Sequence, residues 1–233
     1  MGLKEDLDAE LNAIFSGGFQ ERDGQKVPEP EDVRLGNDAV KIEGTVLYAD
    51  LAESTALVRR YQWWFAAEVY KAYIITACRI IRNNYSIITA FDGDRVMAVY
   101  MGGSRDANAV RTALQINYAV SNLINKIIKS KFSKFSTEYL VKQSVGIDRS
   151  LLYAVRTGIR GSNDLVWVGT AANNAAKMCS IRDGYPTHIS MEVYTQLDDA
   201  TRYSSDSRTN MWESYYWNDI SANICRSSYW WEI

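Results

Sequence analysis

The chain is poor in the residues from which metal centres and covalent scaffolds are usually built. Three cysteines, Cys78, Cys179 and Cys225, are scattered through 233 residues, and His188 is the only histidine. An odd, dispersed set of thiols excludes a disulfide framework and a cysteine zinc site, and fits a reduced compartment. One histidine rules out any site that needs two. A Ser-His-Asp triad on His188 would need a nucleophile elbow, and none is visible. The stretch Pro186-Thr187-His188-Ile189-Ser190 reads instead as a short strand with a structural histidine. No apolar run approaches the roughly 20 residues that span a bilayer. The start of the chain lacks the basic segment and apolar block of a signal peptide, so a cytoplasmic, membrane-free protein is expected. Net charge is also small, at −2. That leaves no broad electrostatic footprint for nucleic acid.

What is present is an ordinary globular composition, 47% apolar and 23% charged, long enough for one generous domain. Residues 1–40 read as an appendage. Leu3, Leu7, Leu11, Ile14 and Phe15 recur at helical spacing until Gly17-Gly18, and this short amphipathic helix is expected to pack on the domain rather than on a partner chain. Pro28-Glu29-Pro30-Glu31-Asp32 follows as an extended or turn-rich linker.

Residues 41–233 then alternate strands and helices. One helix is predicted from Glu53 to about Asn83 and another from Arg105 to about Lys129. Lys126, Lys129, Lys131 and Lys134 gather at the end of the second, where cations suit the helix dipole. Glu138–Asp148 and Leu151–Ile159 read as a hairpin, Asp164–Val168 as a strand and Gly169–Ile181 as a helix. Met211–Trp217 and Ser228–Ile233 are strand-like. The fold class is an α/β sandwich, a mostly antiparallel sheet backed by helices.

Two stretches carry chemistry. In Gly44-Thr45-Val46-Leu47-Tyr48-Ala49-Asp50-Leu51-Ala52-Glu53-Ser54-Thr55, a β-prone run ends in a carboxylate and a helix opens behind it. In Ile87-Ile88-Thr89-Ala90-Phe91-Asp92-Gly93-Asp94-Arg95-Val96, two strands meet at a tight Asp-Gly-Asp turn. Carboxylates at the ends of neighbouring strands can share divalent cations, which a nucleoside triphosphate requires. Read singly, Asp50 is a helix cap and Asp94 a turn residue. A third stretch, Val166-Trp167-Val168-Gly169-Thr170-Ala171-Ala172-Asn173-Asn174-Ala175-Ala176-Lys177, closes a strand with glycine. It opens a helix whose small residues allow close approach of a ligand or subunit. Asn173 and Lys177, four apart, share a face; an amide and a cation so placed can orient a ribose and neutralise a phosphate. A solvated polar face is the alternative.

Together these motifs resemble the class III nucleotidyl cyclase catalytic domain over roughly residues 42–233. The resemblance implies a ferredoxin-like βαββαβ core. It also implies two Mg²⁺ or Mn²⁺ ions on Asp50 and Asp94, with the Leu51 carbonyl completing one shell, and a triphosphate cradled by Ala52, Glu53, Ser54 and Thr55 at a helix start. Asn173 would position the ribose and Lys177 would be the transition-state cation. Lysine stands where the family usually has arginine, a point charge in place of a fork. Family cyclases draw the two aspartates and the Asn/basic pair from opposite subunits, so one chain carrying both halves implies a homodimer.

The departures bear on the base. Purine-selective members place lysine or glutamate four residues before the second metal aspartate; here that is Ala90. A second base reader lies three residues before the glycine; here it is Val166. Two apolar side chains cannot read a purine edge. Tyr48, on the same side of its strand as Asp50, could narrow the pocket and offer a hydroxyl, and Arg95 adds a cation. Core packing for Tyr48 and strand surface for Arg95 are the alternatives. Small cyclases with such a pocket resemble the pyrimidine cyclases of bacterial Pycsar anti-phage systems, which imply UTP, before CTP, as substrate. They also imply a separately encoded effector with a cyclic-nucleotide-binding domain. A purine cyclase with an atypical pocket and a non-catalytic nucleotide-binding relic remain as rivals. A diguanylate-cyclase palm is disfavoured because Phe91-Asp92-Gly93-Asp94 lacks its double glycine.

Overall fold

The structure is a computed structural model and describes residues 2–132 and 139–233. In chain order it contains α1 (Leu3–Ser16), β1 (Gln20–Asp23), β2 (Asp38–Ala52), α2 (Ser54–Arg60), α3 (Trp63–Asn83), β3 (Ile87–Asp92) and β4 (Arg95–Tyr100). These are followed by α4 (Arg105–Tyr118), α5 (Asn125–Lys131), β5 (Lys142–Ile159), β6 (Ser162–Val168), α6 (Thr170–Met178), β7 (Thr187–Ser190), α7 (Met191–Thr195), α8 (Asp199–Arg202), β8 (Glu213–Trp217) and β9 (Ala222–Ser227). Among the described residues nine strands form one sheet, ordered β3-β4-β2-β5-β7-β9-β8, with β1 added to β2 and β6 to β5. Only β1/β2 and β5/β7 are parallel pairs. The expected helix-backed, mostly antiparallel sheet is thus what forms, and its β3-β4-β2-β5 portion has the ferredoxin-like order.

The central strand β2 explains the layering. Its side chains alternate, so Leu47, Ala49 and Leu51 join one core with Phe65, Val69 and Tyr73 of α3 and Val110 and Leu114 of α4. This is the rear face. Val40, Ile42 and Val46 point the other way, to a second core with Trp167 of β6 and Ala171, Ala172 and Ala175 of α6. This is the front face. Gly146 of β5 permits the contact: a Cβ there would lie 2.2 Å from the Ala175 carbonyl oxygen and 2.5 Å from the Cys179 nitrogen. Ala171, Ala172 and Ala175 of α6 therefore serve packing within the chain, while Ala176 lies on the open side with Asn173 and Lys177.

Several boundaries differ from the sequence reading. The helix expected from Glu53 to Asn83 breaks at Tyr61-Gln62, where extended backbone separates α2 from α3. The second long helix carries a π-helical turn at Ala119–Ile124 between α4 and α5. Glu138 and Lys134 lie outside the described residues. The hairpin turn expected near Asp148–Leu151 does not exist, because β5 runs unbroken through it, paired with β2 from Lys142 to Val155. Its polar residues are satisfied sideways instead: Arg149 Nη1 donates to Asp106 Oδ2 at 2.8 Å and Asn174 Nδ2 to Asp148 Oδ2 at 2.9 Å. The hairpin is β5/β6. Ser228–Ile233 is not a strand. It clasps α4, with the Trp231 N–H on the Leu114 carbonyl at 3.1 Å and Asn117 Nδ2 on the Tyr229 carbonyl at 2.8 Å.

The N-terminal expectation also changes. No residue of α1 is buried, so the helix does not pack on the domain; Asn37 Nδ2 holds its end through the Ile14 carbonyl at 2.9 Å. The stretch behind it is built in, since β1 pairs with β2 and Val27 and Val33 sit in the front core. No helix among the described residues is long and apolar enough to cross a membrane.

Candidate active site

Asp50 lies near the end of β2, 5% exposed, three residues before the αL residue Glu53 that precedes α2. It is therefore not a helix cap. Its carboxylate is bracketed by two guanidiniums: Arg182 Nη2 donates to Oδ2 at 2.5 Å and Arg95 Nε to Oδ1 at 3.4 Å. Burial raises the Asp50 carboxyl above its usual range, the two arginines pull the other way, and Asp94 adds a small upward push.

Asp94 occupies the two-residue loop between β3 and β4, where Gly93 takes φ 60° ahead of it and Asp92 pairs with Arg95. Because Asp50 is opposite Arg95 on β4, the loop brings the two carboxylates to one end of adjacent strands. Asp94 Oδ2 is buried with no hydrogen-bond partner among the described residues. An orphaned carboxylate oxygen beside a second buried carboxylate is what a cation site requires. Among the described residues no group of three His, Cys, Asp or Glu side chains gathers, so side-chain ligation rests on these two.

Leu51 and Ala52 finish β2, and Glu53 turns the chain with φ 61°, an unusual conformation outside glycine. Ser54 opens α2 and Thr55 follows. The first N–H groups of a helix have no acceptor within it, so Ser54 and Thr55 begin α2 with amides unpaired inside the helix, four and five residues after Asp50. Glu53 itself faces solvent, paired with Lys142 at 2.9 Å.

Of the residues expected at the base, Ala90 is placed by a bulge. Ile88 pairs with Ala98 but Ala90 with Met97, leaving Thr89 as an extra residue in β3. Ile88 thus packs on the rear core, whereas Ala90 turns to the front, against the cluster that also holds Tyr48 and Met97. Tyr48 is half-buried and burial raises its phenol. Arg95 is not plain strand surface, since it bridges Asp50 and Ser180 (Nη2 to Oγ, 3.4 Å). Val166 lies elsewhere, 47% exposed on the outer side of β6, opposite the buried Trp167. Within one chain it does not join Ala90.

Asn173 and Lys177 stand on the exposed face of α6 and share a recess with Arg95, Ser180 and Asp219. The recess meets Asp50 only through Arg95. Sequence reasoning missed Arg182, Lys142, Gln143 and Ser144, all close to Asp50. Ser144 and Gln143 are opposite Asp50 and Leu51 on β5, but only the true length of β5 reveals this. Arg182 lies beyond the last helical motif, with no spacing to mark it. His188 is fully buried, bonded to Asp183 at 3.1 Å, the structural role expected of it.

No protein-family model matches the chain. Its full length is 42% identical over 236 residues to a uridylate cyclase of Xanthomonas perforans, covering all of both chains. It is 41% identical to a uridylate cyclase of Burkholderia cepacia, again over all of both. A uridylate cyclase of Rhodovulum sp. (strain MB263) is 33% identical, over 99% of this chain and 98% of that one. Among solved structures, the fold is shared with a bacterial light-regulated adenylyl cyclase (TM-score 0.67, 16% identity, 81% of this chain and 51% of that one). It is shared likewise with an adenylyl cyclase from P. aeruginosa (TM-score 0.66, 16% identity, 81% and 95%). Full-length identity at this level, on a fold shared with adenylyl cyclases, makes this chain a member of the uridylate cyclase family of enzymes.

Proposed function

We propose that this cyclase converts a pyrimidine nucleoside triphosphate, UTP before CTP, to the 3′,5′-cyclic nucleotide and pyrophosphate. The observation that carries the reading is Ala90, turned by the bulge at Thr89 to the front face, where Tyr48 of β2 packs on the same cluster. Ala90 has no donor or acceptor for a purine edge, and the Tyr48 hydroxyl is offered to a smaller base. The names of the full-length relatives support the same base.

Asp50, Asp94 and the Leu51 carbonyl would hold two divalent cations, Mn²⁺ or Mg²⁺, and the orphaned Asp94 Oδ2 suits that use. Bound there, such cations supply charge neutralisation and a more acidic 3′-hydroxyl. The chain's own residues do the rest. Amides of Ala52–Thr55 hold phosphate oxygens, Asn173 orients the ribose and Lys177 meets charge developing on the α-phosphate. The 3′-oxygen gives its proton to water and bonds to the α-phosphorus as the bond from that phosphorus to the bridging oxygen breaks and pyrophosphate leaves. His188 is too deeply buried to act as base. Because Asn173 and Lys177 reach the aspartates within one chain only through Arg95, the complete sites are read as composite, formed in a cytoplasmic homodimer. The cyclic product would be a second messenger in anti-phage defence, read by a separate cyclic-nucleotide-binding effector.

The deciding experiment is incubation with all four nucleoside triphosphates and Mn²⁺, with products identified by mass spectrometry. Cyclic UMP as the main product is expected. A purine-only product would overturn the reading of Tyr48 and Ala90.

A further inference from the structure

Two apolar faces of the chain are left uncovered within it. The first is the stripe of α1: Leu3, Leu7, Leu11 and Ile14 recur along one side, and no residue of the helix is buried. The second lies on the outer side of the rear helical layer. There Ile75 of α3, Leu123 of the π-helical turn and Ile127 of α5 are 42% to 54% exposed. The two helices of this face run side by side in opposite directions. Trp64, near the start of α3, meets Phe132, just past the end of α5, with ring centroids 6.2 Å apart.

Charge matches the two faces to each other. The rear layer carries two exposed cations in α2, three in α3 and three in α5 against the single acid Glu68, in a chain whose net charge is −2. None of these cations enters an ion pair among the described residues. The balance in α1 is the reverse, with Glu5, Asp6, Asp8 and Glu10 against Lys4. On a helix Asp8 and Glu10 fall on either side of the α1 stripe. Lys71 and Arg79 lie one turn either side of Ile75, and Lys126 one turn beyond Leu123, so cations border the apolar positions in the same way.

The stripe does not meet this face in its own chain. Asn37 Nδ2 holds the end of α1 through the carbonyls of Ile14 and Gly17, at the head of β2. Val27 and Val33 then carry the chain into the front core, across the sheet from α3 and α5. Two α1 helices set against each other would bring like charges together. A nucleic acid or an anionic bilayer would satisfy the cations and leave the α1 stripe in water.

We infer that α1 is an exchanged arm: in a pair of chains, the stripe of each α1 lies against α3 and α5 of the other copy, with Asp8 and Glu10 on that face's cations. Burial of the stripe drives the contact and the charges orient it. Arm and face are different patches, so the contact closes only when both copies exchange. It lies on the opposite side of the sheet from Asn173 and Lys177, and it uses no residue assigned to the reaction.

The test is cross-linking between full-length chains that carry tags of different size. One chain bears Leu11→Cys and the other Ile127→Cys; both positions are exposed, whereas Cys179 and Cys225 are buried. Mixed and treated with a short bismaleimide, they should give a covalent dimer with one chain of each kind, severalfold above either chain alone. Added salt should lower the yield, and so should Asp8→Lys with Glu10→Lys in the Leu11→Cys chain. Lys126→Glu with Lys129→Glu in the Ile127→Cys chain should then restore it, because the signs are opposite again. Circular dichroism checks that each chain is folded. No mixed dimer from folded chains overturns the inference, as does a Leu11→Cys chain that links chiefly to its own kind. A chain with both cysteine substitutions that links only within itself would place the arm on its own domain and also overturn it. Capture of wild type by phosphatidylserine vesicles or duplex RNA, with no mixed dimer, would assign the cationic face to lipid or nucleic acid instead.

Discussion

Arg95 Nε donates to Asp50 Oδ1 at 3.4 Å, and the other end of the same guanidinium reaches Ser180 just beyond α6. One side chain therefore ties the carboxylate end of the sheet to the helix that bears Asn173 and Lys177. Arg95→Gln should lower kcat/KM for UTP about tenfold, the lower end of what a charge-assisted hydrogen bond contributes. Its melting temperature should stay close to wild type. Steady-state kinetics with a thermal melt checks both, and unchanged kinetics would reduce Arg95 to a surface residue.

Asp50→Ala and Asp94→Ala should each abolish cyclic nucleotide formation while the dimer persists on size-exclusion chromatography. Mixed with a Lys177→Ala chain, an Asp50→Ala chain should regain activity, since one of the two composite sites in the heterodimer is then intact. Absence of recovery after confirmed subunit exchange would place Asp50 and Lys177 in a single chain's site.

Tyr48→Ala should open the base pocket. Relative turnover of ATP or GTP against UTP is expected to rise at least severalfold, as UTP turnover falls. Tyr48→Phe separates size from hydroxyl: if the phenol oxygen reads the pyrimidine, Phe loses UTP turnover without admitting purines. Competition assays with paired nucleotides give the ratio directly.

Gly146→Ala should be strongly destabilising for a one-methyl change. The new Cβ would meet backbone at 2.2 Å and 2.5 Å, and neither the Ala175 carbonyl nor the Cys179 amide can move without α6. Overpacking of this kind costs about 1–3 kcal/mol. Chemical denaturation measures it, and activity should fall with it because Asn173 and Lys177 ride on the displaced helix.

His188 gives the pH dependence of stability a sign. Burial lowers its pKa below the ordinary value of 6.5, outweighing the opposite pull of Asp183. The unfolded chain therefore takes up a proton near pH 6.5 that the folded chain refuses, and stability falls as pH drops below that value. The loss levels off once the folded-state pKa is passed. His188→Asn should flatten this segment of the melting temperature against pH profile. An equally steep profile in the variant would assign the effect to other groups.

The sheet, its two flanking layers and the Asp50, Asp94 and Asn173/Lys177 motifs were legible because alternation, turn residues and helical spacing are local. Asp94 was readable from Asp-Gly-Asp alone. The run from Asp148 to Ser150 misled, since polar residues that look like a turn are matched by Asp106 and Asn174, far away in sequence. The C-terminal aromatics looked like a strand because aromatic content signals β-structure, yet they pair with α4 beside a π-helical turn that no periodicity announces. Arg182 was invisible because its partner, Asp50, is 132 residues away.

The extra residue at Thr89 has a further bearing. It separates two demands that an unbroken strand would place on one face: Ile88 packs on the rear helices and Ala90 on the front cluster. With the base bound at the front as proposed, a substitution at position 90 changes the wall the nucleotide meets while the rear core stays as it is. Deletion of Thr89 would return position 90 to the face of Ile88 and take it out of the site.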